Sequence, residues 1–235
     1  MLTFHDISFG YKKRTSLFQN LNISFPVGKT LLLGPNGAGK STLFAIAAGL
    51  IASNGGRITP ESNQVSLLPQ SIPVFRGLTV REQVAYAGWL TGMSSHDSWA
   101  KSEELLEMVF LSEKANESVK SLSGGQLRRV GIASALMSGN SALLFDEPTA
   151  GLDLHQASNF YQSLASVSGN KCIVVSSHQI EGISGFFDNI ALLVGGEIKF
   201  FGSFQQFIAI GAALGISDPG QALVAAYSSM VAFDK

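Results

Sequence analysis

A single cysteine in 235 residues excludes an internal disulfide. Cys172 lies in the apolar run Lys171 to Val175, which reads as a buried strand position rather than a reactive thiol. Charge is also scarce, at 14% of residues, and it is nearly balanced, with 16 basic and 17 acidic side chains and a net charge of −1. That balance gives no electrostatic footprint for nucleic acid. The one short basic cluster, Lys12-Lys13-Arg14, reads as a solvated turn. Long apolar runs are missing too: the longest nearly unbroken one, Phe207 to Ile216, is about half of the ~20 residues that a membrane-spanning helix needs. The start of the chain, Met1-Leu2-Thr3-Phe4-His5-Asp6, has neither the basic residues nor the apolar stretch of a signal peptide, so a cytoplasmic chain is expected. A hydrophobic content of 46% is enough for one domain with a large core. High apolarity with so little charge suggests that a partner covers part of the surface.

Against these absences stands one nine-residue stretch, GPNGAGKST at 34–42, which fits the phosphate-binding loop pattern G-x-x-x-x-G-K-[ST] without a mismatch. The apolar run ending Leu31-Leu32-Leu33 reads as a buried strand, and Ser41 to Ala48 reads as a helix, which is the context the loop requires. In such a loop, Gly34, Asn36, Gly37, Ala38, Gly39, Lys40, Ser41 and Thr42 form the candidate segment for binding the phosphates of a nucleotide. The glycines let backbone N–H groups approach phosphate oxygens at the positive end of the helix. Lys40 would reach the β- and γ-phosphates, and Ser41 would offer its hydroxyl to Mg²⁺.

The patterns around the loop predict an α/β protein. Alternating residues at Leu2–Phe9 and Leu21–Phe25 read as half-buried antiparallel strands. Further strands are expected at 30–33, 65–68, 142–145, 172–176, 190–194 and 198–201, and the continuous apolar runs ending in Phe145 and Val175 point to a parallel sheet covered on both faces. From about 76 to 137 the pattern is helical, with segments near 79–90 and 98–110, and reads as an inserted helical subdomain. Gly195-Gly196 reads as a hairpin turn, and Ser203 as the cap of a helix opening a C-terminal helical extension over 203–235. The whole of 1–235 reads as one domain: a phosphate-loop nucleotide-hydrolase core, an N-terminal antiparallel β subdomain and the helical insertion.

Two further clusters sharpen the chemistry. The strand Ala142 to Phe145 ends in Asp146-Glu147. Beside a phosphate loop, Asp146 would hold Mg²⁺ through water, and Glu147 would accept a proton from the water that attacks the γ-phosphate. In Leu122-Ser123-Gly124-Gly125-Gln126, Ser123 and Gln126 have the spacing of a capping box at the start of a helix.

The loop at 34–42, LSGGQ at 122–126, LLFDEPTAGLD at 143–153 and a histidine after the next strand together resemble the ATP-binding cassette (ABC) ATPases, a likeness that runs from about residue 2 to 202. This resemblance implies that Ser123, Gly124, Gly125 and Gln126 bind ATP in trans, on the nucleotide held by a second cassette, in a homodimer or a heterodimer. It implies that Tyr11 stacks on adenine, that Gln70 contacts Mg²⁺ and the attacking water, and that His178 contacts the γ-phosphate and supports Glu147. Asp153 would couple the two sites. The catalytic set is then Glu147, His178 and Gln70, the metal set Ser41, Gln70 and Asp146, and the cofactors ATP and Mg²⁺. His5, His96 and His155 match no motif and read as surface residues. The stretch Val74 to Glu82 resembles exporter-type ATPases encoded apart from their membrane subunits. The expectation is an ATP hydrolase, peripheral on the cytoplasmic face of a membrane, that powers export through a separate transmembrane subunit. The alternatives are a soluble ABC ATPase of iron–sulfur cluster assembly and a regulatory cassette that binds ATP without hydrolysing it.

Overall fold

The computed structural model describes residues 1–11, 16–165, 167, 170–179 and 185–231, apart from the side chains of Ser62 and Leu154. The cluster Lys12-Lys13-Arg14 and the last four residues of the expected C-terminal extension lie outside these. Strands β1 (Leu2–Phe9) and β2 (Phe18–Phe25) pair antiparallel. Strand β3 (Gly28–Leu33) then enters a second sheet, helix α1 (Lys40–Ala47) follows it, and β4 (Gly55–Thr59) returns to the free edge of β1. After β5 (Val65–Leu68) come three helices, α2 (Val80–Leu90), α3 (Ser95–Met108) and α4 (Gly124–Met137). The order closes with β6 (Ala142–Phe145), α5 (Leu154–Ala165), β7 (Cys172–Ser177), β8 (Asn189–Val194), β9 (Glu197–Ser203), α6 (Phe204–Ala213) and α7 (Pro219–Val231).

The larger sheet has the order β5-β6-β7-β3-β8-β9. All its neighbours run parallel except β9, which turns back on β8 through Gly195-Gly196. Because successive side chains on a strand point to opposite faces, each central strand feeds two cores. Leu31, Leu33, Phe145 and Val175 face a core that includes α2 to α5 and the C-terminal helices. Leu32, Leu144 and Val174 face a second core shared with the small antiparallel sheet and α1, where Phe4, Phe25 and Phe44 are fully buried. Each large side chain buried in this way contributes about 1.5–3 kcal/mol.

Helix starts follow their local chemistry. Thr79 with Glu82, Ser123 with Gln126 and Ser203 with Gln206 each form a complete capping box. The helix expected from Ser98 begins three residues earlier, because Ser94 accepts the Asp97 N–H and caps it there, and it stops before Phe110, whose φ is 56°. Strand β2 starts at Phe18 rather than Leu21, paired with Phe9. Strand β4 is unanticipated: Gly55-Gly56 opens it with two poor strand formers, only Ile58 and Thr59 favour the conformation, and its pairing with β1 makes it a strand. That pairing sets His5 opposite Arg57 and leaves it half-buried rather than on the surface. No helix among the described residues is long and apolar enough to cross a membrane.

Cys172 is fully buried at the start of β7, and burial pushes its thiol up to about 11. The folded chain therefore keeps the proton that an unfolded chain surrenders near pH 9. This contribution to stability is intact below pH 9 and is lost as the pH rises through about 11. It amounts to about 3 kcal/mol. Denaturant titrations at pH 8 and pH 11 should show a correspondingly larger loss for the parent than for Cys172→Ala, and a thiol reagent at pH 8 should label the native chain far more slowly than the unfolded one.

Candidate nucleotide-binding cleft

Four parallel strands deliver the candidate residues to one edge of the larger sheet. Gly34 follows the end of β3, Gln70 lies just beyond β5, Asp146 follows β6 and His178 follows β7. The loop from Gly34 to Gly39 packs against its surroundings without room for side chains at key points. A Cβ on Gly34 would lie 2.2 Å from the Leu193 carbonyl oxygen, and one on Gly39 would meet the Phe18 ring at 2.8 Å. Gly39 also takes a φ of 106° to turn the chain into α1. No side chain caps α1 and no acid sits in its first turn, so its leading N–H groups are left for an anion.

Lys40 is buried, with 5% of its surface exposed, and its Nζ donates to the carbonyl oxygens of Gly34 at 2.6 Å and Pro35 at 3.1 Å. Glu147 Oε1 lies 3.4 Å away. Burial pushes the ammonium below the ordinary lysine value, while the Glu147 carboxylate and, more weakly, Asp146 oppose the shift. The other oxygen of Glu147 is 2.7 Å from His178 Nδ1. An ionised carboxylate only accepts, so Nδ1 carries the proton of that hydrogen bond. Glu147 has a φ of 44°, a left-handed conformation that costs a residue with a Cβ about 1–2 kcal/mol. This turn carries the side chain from the end of β6 across to Lys40 and His178.

Among the residues expected at the site, Tyr11, Asn36, Gly37, Gly39, Lys40, Ser41, Thr42, Gln70, Glu147 and His178 line one open cleft of about 610 Å³. Tyr11 marks its outer end: the phenol is hydrogen-bonded to the Thr42 hydroxyl at 3.0 Å, and the ring stands edge-on to Phe9. Gly34 and Ala38 do not line the cleft; Gly34 supplies a carbonyl to Lys40, and Ala38 is buried with its N–H on the Pro35 carbonyl. Asp146 is buried behind the cleft. Arg128 of α4 donates to the Gln70 carbonyl and ties the segment after β5 to the helices.

Ser123, Gly124, Gly125, Gln126 and Asp153 are not among the lining residues. The Ser123 hydroxyl accepts the Gln126 N–H, and the Gln126 side chain accepts the Ser123 N–H. Asp153 caps α5 by accepting the Gln156 N–H, and Gln156 in turn packs against Gly125. The LSGGQ segment and Asp153 therefore form a second, connected group. Ser176 escaped the sequence reading although it touches both acids, and Leu17 and Ala150 are further unanticipated lining residues. Nothing in their local pattern marks them.

A glycine loop at a helix start, with a lysine, two strand-end acids and a histidine around it, defines a phosphate-binding site of the nucleotide-hydrolase class. The family model for ABC transporters matches residues 18–150. The chain is 30% identical over 216 residues to the linearmycin resistance ATP-binding protein LnrL of Bacillus subtilis, covering 86% of this chain and 69% of LnrL. It is 32% identical over 206 residues to ATP-binding cassette sub-family A member 17 of Mus musculus, covering 83% of this chain and 12% of that much longer protein. A solved dimeric ATP-binding cassette in a post-hydrolysis state with ADP and Pi superimposes with a TM-score of 0.75 at 25% identity, over 86% of this chain and 98% of that one. The chain belongs to the ABC transporter family, as an ATP-binding cassette whose characteristic activity is ATP hydrolysis.

Replacing Lys40 with alanine removes the one buried cation of the loop. ATP affinity, measured by displacement of a fluorescent nucleotide, should fall at least tenfold, in line with about 1.5–3 kcal/mol for a hydrogen bond to a charged group. An unchanged affinity would take Lys40 out of phosphate binding.

Proposed function

We propose that two copies of this cassette, or one copy and a second different cassette, close on two molecules of Mg·ATP and reopen after hydrolysis, driving a separate transmembrane subunit. The observation that carries this reading is the contact chain Lys40–Glu147–His178 inside a cleft rimmed by the glycine loop. Lys40 and the loop amides hold the β- and γ-phosphates. Glu147 takes the proton of the attacking water, and His178 fixes its carboxylate and reaches the γ-phosphate. Tyr11 supports the adenine. The oxygen donors Ser41, Asp146 and Gln70 suit a hard cation such as Mg²⁺. Among the described residues no three His, Cys, Asp or Glu are grouped to hold a metal, so phosphate oxygens and water would complete its coordination. Bound there, the ion neutralises phosphate charge.

The second group, Ser123, Gly124, Gly125 and Gln126 with Asp153, serves the partner cassette's nucleotide and couples the two sites. The helices between β5 and β6 form the inserted subdomain, within about 76–137, and α6 and α7 form the C-terminal extension. A membrane subunit docks near Gln70 and on the segment from Val74 to Leu90, in which Phe75, Tyr86 and Trp89 make a continuous exposed aromatic patch, with ring centroids 5.3 Å and 5.7 Å apart, and Leu90 is also exposed. The cassette then sits peripherally on the cytoplasmic face. Export is the direction favoured by the likeness to a resistance protein and by the Val74 to Glu82 stretch.

Glu147→Gln should bind ATP as the parent does, lose at least about 100-fold in phosphate release, and elute as a dimer with Mg·ATP. Equal turnover in the two proteins would remove Glu147 from the role of base. Trp89→Ala combined with Leu90→Glu should abolish copurification of the membrane subunit while sparing ATP affinity; retention of the subunit would move the docking surface elsewhere.

A further inference from the structure

Ser176 stands near the end of β7, across from the two acids that follow β6. The parallel ladder between these strands ends on the pair Phe145 and Val175, so Asp146 and Ser176 are the next residues along on each side. The Ser176 side chain is fully buried. Its hydroxyl donates to Asp146 Oδ1 at 2.7 Å and accepts the Glu147 N–H at 2.8 Å. One hydroxyl thus commits its proton to one acid and a lone pair to the backbone of the other.

The geometry points to Ser176 as a positioning residue for hydrolysis, one that aims both acids without touching the nucleotide. It rests on the hydrolytic reading above. The Ser176 hydroxyl anchors the amide of Glu147, whose φ is 44°, and that backbone sets where the carboxylate meets Lys40 and His178. The neighbouring Ser177 does not share the task, because its hydroxyl is engaged with the main chain of Gln179. The bond to Asp146 engages Oδ1, one of the two oxygens of the acid that would hold Mg²⁺ through water. Without the hydroxyl, the Glu147 amide and the Asp146 carboxylate oxygen both lose this partner, so the two acids shift together.

The test compares the parent, Ser176→Ala, Ser176→Thr and Glu147→Gln, each shown to unfold cooperatively on heating. Ser176→Ala should lower kcat about 30-fold with KM for ATP within about twofold, the pattern of a lost transition-state interaction. In the nucleotide-free chain, hydrogen exchange at the Glu147 amide should speed at least about tenfold. Ser176→Thr, which keeps the hydroxyl, should restore most of both. If the parent turns over, Glu147→Gln does not, and Ser176→Ala matches the parent in kcat or in amide exchange, the assignment of Ser176 is overturned while the hydrolytic reading stands. A loss in Ser176→Ala that threonine does not restore also overturns it. A parent without turnover overturns the hydrolytic reading, and the role of Ser176 in it falls as well.

Discussion

Everything at the nucleotide edge of this protein is organised around a buried ammonium. Lys40 has almost no contact with solvent, and desolvation acts against its charge. The charge is tolerated because two loop carbonyls and the Glu147 carboxylate surround it. Each of those partners must be held in place: the carbonyls by a loop too tight for side chains at Gly34 and Gly39, the carboxylate by a left-handed backbone and the imidazole of His178. A triphosphate would offer the same cation a stronger set of acceptors. On the reading proposed above, binding would exchange these internal partners for ligand oxygens rather than open an empty charge to water.

The sheet makes this arrangement possible. Parallel strands all present the same end, so chain segments far apart in sequence leave β3, β5, β6 and β7 at one edge. Two cores, one on each face, lock the register of the central strands. A slip of one residue would exchange Leu31 with Leu32 between cores and move the strand ends relative to each other. Precision at Glu147 is therefore a property of the packing of Phe145, Val175 and Leu33 as much as of the cleft.

Legibility followed the range of the interaction. The capping box at Ser123 and the helix cap at Ser203 are local, three residues from cap to partner, and the pattern shows them, whereas the box of Thr79 with Glu82 was not anticipated. The central strands are legible because burial on both faces leaves continuous apolar runs. Strand β4 was not, because Gly55-Gly56-Arg57 becomes a strand only by borrowing hydrogen bonds from β1. The early start of α3 depended on one serine, Ser94, whose capping role competes with several equally polar neighbours.

The amino-acid sequence alone determined the chemical identity of the protein, because phosphate binding by a glycine loop needs particular residue types at fixed short spacings, and these survive in one dimension. The tertiary structure decided which side chains meet. It bent Glu147 onto Lys40 and His178, kept LSGGQ and Asp153 out of this chain's own cleft, and set an unremarkable serine, Ser176, between two acids about 30 residues away in sequence. Such contacts arise from strand register and the filling of two cores, and those are sums over the whole chain that no local pattern records.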